Sequence, residues 1–124
     1  MKKIDGKKLL NDYIVEMEKE YELQKQYQLQ YMNEELNDEW FDYNKSIRFT
    51  RTWDILMNKD EFLIDYPVRN MLLLYNACDC RTKETLEALT GFDTAYKNVS
   101  TLRVLITNAR KKIRKIYNDK YGVN

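Results

Sequence analysis

The sequence has no histidine, one proline, three glycines and two cysteines in 124 residues. Without histidine the chain lacks the usual general base at neutral pH and the commonest metal ligand. So little glycine and proline leaves too few turn residues for an all-β fold. The glycines, Gly6, Gly91 and Gly122, lie far apart, so no glycine-rich phosphate loop can form. Cys78 and Cys80 are separated by a single residue, which strains any bridge between them, and two thiols do not complete a tetrahedral zinc site. A secreted disulfide scaffold is excluded on the same ground. The longest apolar run, Met71 to Tyr75, is far too short to cross a bilayer. No apolar stretch follows Met1-Lys2-Lys3, because Asp12, Glu16 and Glu18 interrupt the segment. The expectation is a cytoplasmic, non-enzymatic protein with no cofactor, no metal and no membrane partner.

What the chain does have is charge, unevenly placed. Charged residues make up 33% and hydrophobic ones 44%, a mix that suits helices with exposed Lys and Glu. The net charge of +1 conceals a division. Met1 to Tyr66 holds 10 basic and 15 acidic residues, and Pro67 to Asn124 holds 11 basic and 5 acidic. One half is thus suited to a polyanion and the other to a different partner or to a second copy.

The hydrophobic pattern is helical throughout. Leu10, Ile14, Met17 and Tyr21 form a stripe that predicts one long helix from about Lys7 to Leu36. The stripe weakens at Gln24 and Gln28, and a second one, Leu29, Met32 and Leu36, follows one step around. Such a helix, about 45 Å long at 1.5 Å per residue, is longer than a small domain covers. Part of it is expected to pack on another subunit or partner. Leu10, Tyr13, Ile14, Met17, Tyr21, Tyr27 and Tyr31 are the interface candidates, tyrosine being enriched at interfaces.

Asn37 and Asp38 can cap a short helix holding Trp40, Phe41 and Tyr43. The segment Ser46 to Asp54 fits either a helix or a strand, and helix is the expectation. Pro67 suits the first turn of an apolar helix through Met71, Leu72, Leu74 and Cys78. Thr82 can cap the next, which Gly91 ends. Ser100 can cap the last, whose stripe Leu102, Ile106, Ala109, Ile113 and Ile116 runs to about Tyr117. The expected fold is all-α. Residues 1–38 form a long N-terminal helix, and 39–124 form a helical domain with a basic helix at 100–117.

That last helix carries Arg103, Arg110, Lys111, Lys112, Arg114 and Lys115 and no acidic residue. Arg103, Thr107, Arg110 and Arg114 share one face, and Asn108, Lys111 and Lys115 line another. Guanidinium and ammonium groups release counterions from DNA phosphates, and Arg and Asn can read base edges in a major groove. The competing explanation is a solvated helix whose cations complement its own C-terminal dipole.

Residues 69 to 116 resemble the winged-helix type of helix-turn-helix found in response-regulator effector domains. The similar elements are Met71-Leu72-Leu73-Leu74-Tyr75, Lys83-Glu84-Thr85-Leu86-Glu87-Ala88-Leu89, and the segment from Asn98 to Ile113. The ending Ala109-Arg110-Lys111-Lys112-Ile113 also resembles region 4 of sigma factors. The resemblance implies that the last element is a recognition helix. It makes Arg103, Thr107, Asn108, Arg110, Lys111, Lys112, Arg114 and Lys115 the DNA-facing candidates, with double-stranded DNA as partner. The function it implies is that of a small DNA-binding or transcription-associated regulator. The Lys, Asn, Tyr and Ile content looks like that of an A+T-rich bacterial or phage genome. The alternatives are a phage structural or assembly protein forming a helical oligomer, or a small inhibitor that docks on a host protein.

Overall fold

Five helices make up all the regular structure among the described residues, three of them with a side-chain N-cap bond. The computed structural model describes residues 4–57, 65–90, 92 and 98–122. The first helix, α1 (Gly6–Met32), starts where extended Asp5 accepts the Lys8 N–H at 3.1 Å. It is about 40 Å long at 1.5 Å per residue. It stops at Met32 rather than at Leu36, in a Schellman motif. The Glu34 N–H donates to the Tyr31 carbonyl and the Glu35 N–H to the Gln30 carbonyl, with Glu34 left-handed at φ 63°.

Residues 37–41 form a turn in place of the expected short helix. The backbone N–H groups of Trp40 and Phe41 both donate to the Asn37 carbonyl. The second helix, α2 (Tyr43–Leu56), follows, capped by the Asp42 carboxylate on the Lys45 N–H at 3.0 Å. Ser46 to Asp54 is therefore helical. Its two apolar readings are reconciled by burial, with Trp53, Ile55 and Leu56 inside and Phe49 packed against them.

The third helix, α3 (Tyr66–Ala77), has Pro67 in its first turn, where a missing N–H costs nothing. Met71, Leu72, Leu73 and Leu74 are all buried, as an all-round apolar helix requires. It too ends in a Schellman motif. Asp79 donates to the Asn76 carbonyl and Cys80 to the Tyr75 carbonyl, with Asp79 and Cys80 at φ 54° and 61°. This turn leads directly into α4 (Thr82–Leu89), whose N-cap is Arg81 rather than Thr82. The last helix, α5 (Val99–Tyr121), is capped by the Asn98 side chain on the Thr101 N–H at 2.8 Å, so Ser100 lies inside it. It runs past Tyr117 and ends at left-handed Gly122, φ 63°. Residues 58–64, and Gly91, which was expected to end α4, lie outside the described residues.

Both α1 and α5 pack on the same three helices, α2, α3 and α4. The core is correspondingly shared, with Leu10 and Tyr21 from α1, Ile55 from α2, Leu73 from α3, Ala88 from α4 and Leu102 from α5 all buried. The long helix is thus one side of the bundle. Leu10 and Tyr21 are buried in the core, and Tyr13, Ile14 and Met17 pack against it. Tyr27 and Tyr31 meet Phe41, with ring centroids 5.8 Å away in each case. All seven interface candidates therefore contact their own chain. The second stripe has a different fate, because Leu29 and Met32 are 62% and 65% exposed.

The weak point of the first stripe is where α1 and α2 are keyed together. Gln28 is buried and donates to Ser46 Oγ at 3.0 Å and Thr50 Oγ1 at 3.2 Å. Ser46 in turn donates to Gln24 Oε1 at 2.7 Å. Further along the same seam, Tyr21 donates to Asp54 at 2.7 Å and Trp53 Nε1 to Glu18 at 3.1 Å. Among the described residues no buried side-chain nitrogen or oxygen lacks a partner. A satisfied polar network of this kind fixes helix register, which apolar contact alone leaves loose.

Candidate functional site

The apolar stripe of α5 determines what the helix offers to solvent. Leu102, Ile106, Ala109 and Ile113 are buried, which turns the remaining faces outward. Arg103, Thr107, Asn108, Arg110, Lys111, Lys112, Arg114 and Lys115 are all exposed. None of the eight is engaged in an ion pair or a side-chain hydrogen bond among the described residues. The ion pair found among the described residues is Lys8 with Asp12, one turn apart on α1. Among the described residues α2, from the acidic half, packs on the apolar face of α5, and no carboxylate pairs with the basic side chains from Arg103 to Lys115. The extension of α5 beyond Tyr117 adds one acid, Asp119, at the far end of the helix from Arg103.

The basic face borders a groove. Between α2, α3 and α5 lies a cavity of about 620 Å³ that opens at the surface. Arg110 and Arg114 of α5 line it together with Arg48 of α2. Its apolar floor is Leu56, Leu72 and Ile113, and Tyr75 and Tyr117 contribute to its walls. The junction of α2 with the end of α5 is held by Arg51, whose guanidinium lies 4.5 Å from the Tyr121 ring centroid. Arg48 was beyond the reach of sequence reasoning, since it sits on another helix among unremarkable neighbours. Periodicity within one segment carries no signal of what a second segment brings beside it.

The remaining polar groups have structural settings. Burial pushes the Cys78 thiol up, against a bond with Thr85 that pulls it down, and nearby Glu84, Asp79 and Glu87 push it further up. A thiol held protonated in this way is a poor nucleophile. Cys78 and Cys80 are free. Among the described residues no three Cys, Asp or Glu side chains converge as metal ligands. No helix among them is long and apolar enough to cross a membrane. Compared with protein-family models, curated proteins and solved structures, the chain has no match.

Proposed function

We propose that the chain is a small DNA-binding protein, a transcription-associated regulator in its simplest form, that lays α5 against duplex DNA. The observation that supports this reading is the exposure of every one of the eight candidate side chains on α5, with no carboxylate among the described residues bonded to any of them. A helix of this diameter fits a major groove, and Arg103, Thr107, Arg110 and Arg114 fall on one face of it. Lys111, Lys112 and Lys115 are placed to meet phosphates on either side.

The test is fluorescence anisotropy with a duplex at two salt concentrations. Affinity is expected to fall steeply with salt, by a slope of about 0.9 per phosphate contact. The double variant Arg110→Glu/Arg114→Glu keeps its helical circular dichroism and loses binding. A folded double variant with the affinity of the parent chain would sink the proposal.

A second reading is self-assembly into a helical oligomer, as in a virion component. It is favoured by apolar side chains on the outer side of α1, where Val15, Leu23, Leu29 and Met32 are exposed, and by exposed Trp40 beyond it. Light scattering separates the two, because assembly gives a large fixed mass in the absence of DNA.

A further inference from the structure

We infer that the groove between α2, α3 and α5 is a binding site for a nucleotide, an anionic ligand with a flat aromatic end. This site shares Arg110 and Arg114 with the proposed DNA contact, but Arg48 and the apolar floor lie outside that contact and the inference does not rest on it. Three arginines from two helices, Arg48, Arg110 and Arg114, line one cavity of about 620 Å³. None of them has an ion-pair or hydrogen-bond partner among the described residues. Like charges gathered around a concave site without a counter-charge repel one another, and an anion in the groove relieves that repulsion. Arg110 and Arg114 are one helical turn apart, about 6 Å, so their planar forks can close on adjacent phosphates.

The rest of the groove identifies the other end of the ligand. A simple anion patch needs only charge, but this cavity has an apolar floor of Leu56, Leu72 and Ile113. Tyr75 and Tyr117 add aromatic surface on which a base can stack, and Asn76 and Asn118 add amides that both donate and accept. The volume lies within the range of roughly 300–1,000 Å³ usual for small-molecule sites. One term opposes the anion. The carbonyl end of α3, at Ala77, presents about half a negative charge close to Asn76. Three guanidinium charges outweigh it.

Calorimetric titration of the full chain with ADP, inorganic pyrophosphate and adenosine tests the inference. ADP is expected to bind one to one, pyrophosphate more weakly and adenosine not at all. Arg48→Gln should weaken ADP by about tenfold or more, as loss of a charge-assisted bond does. Asn76→Trp fills the groove without removing a cation and should abolish ADP binding, with circular dichroism showing that both variants fold. No saturable heat up to about 1 mM ADP, the weak end of specific association, overturns the site. So does equal affinity for pyrophosphate and ADP, which marks an anion patch, or parent-like ADP binding by both variants. A single strand with a 5′ phosphate competes in a parallel arm. If it displaces ADP from the parent chain but not from Asn76→Trp, the nucleotide is the end of a strand; if it does not, the ligand is free nucleotide. Duplex affinity is read on the same variants. Loss of ADP by Arg48→Gln with duplex affinity retained separates this site from the DNA contact on α5, and failure of the DNA reading leaves the ADP isotherm unchanged.

Discussion

Gly6 lies directly against the Ala88 carbonyl. A Cβ built on Gly6 would fall inside the van der Waals shell of the Ala88 oxygen and would also meet the Phe92 ring at 3.1 Å. The start of α1 thus reaches the last turn of α4 because its first residue has no side chain. Replacing a helical glycine by alanine ordinarily stabilises. Here the obstruction is backbone, which cannot rotate away, and the steric term wins. Gly6→Ala is expected to destabilise the fold by about 1–3 kcal/mol, the usual cost of overpacking. A urea titration in which this variant matches or exceeds the parent midpoint would show that α1 and α4 can part cheaply.

Gln28 offers a test of the polar seam. Gln28→Leu leaves the acceptor sides of Ser46 and Thr50 dry, at a cost of about 1–3 kcal/mol. Changing all three together, as Gln28→Leu/Ser46→Ala/Thr50→Val, removes the orphaned groups. The triple variant is therefore expected to lose less stability than the sum of the three single changes. Strict additivity in equilibrium unfolding would mean that the three side chains do not act as a network.

Alkaline stability isolates Tyr21. Burial first, and then the bond to Asp54 with its negative charge, push the Tyr21 hydroxyl far above the ordinary phenol value. The folded chain therefore holds this proton at a pH where the unfolded chain has released it. The stabilisation is complete below about pH 10, the unfolded value, and is lost as pH rises from there toward the folded one. Tyr21→Phe is expected to lower stability at neutral pH by about 1 kcal/mol through the missing bond. It also makes the decline above pH 10 shallower than in the parent chain. Parallel pH profiles would remove Tyr21 from the account.

The helix ends predict a gain. Glu34 is left-handed at φ 63°, and its carboxylate stands at the negative end of α1. A side chain in that conformation costs about 1–2 kcal/mol, and glycine gives back about half of the relief through its freer unfolded chain. Glu34→Gly is expected to raise the urea midpoint with an unchanged slope. An unaltered or lower midpoint would mean that the Glu34 side chain contributes something its exposure does not reveal.

How far these features could be read beforehand depends on their physical origin. The stripes Leu10–Tyr21 and Leu102–Ile113 were legible because burial on a helix imposes a period on apolar residues. The same rule misjudged Gln28, since a buried amide with partners elsewhere in the chain looks locally like a break in the stripe. It also gave Leu29 and Met32 a seam that the end of α1 leaves in solvent. The helix end at Met32 carried little signal, because its left-handed position is filled by Glu34 where glycine is usual. On the candidate site, the exposed cations of α5 were readable from the stripe they avoid. The groove was not, because Arg48 and Arg110 meet only through the packing of α2 on α5.

The uneven placement of charge along the chain has a kinetic meaning. A molecule with a net charge of +1 has almost no monopole with which to be drawn toward a polyanion. The exposed cations of α5 form a local positive patch on that surface, which turns the body more than it pulls it. Close to a polyanion the α5 side rotates forward before contact. That torque is screened over about 8 Å at physiological salt, so collisions begin unguided. On the proposed DNA reading, capture is decided in the last few ångströms, where salt weakens both the guidance of the encounter and its duration.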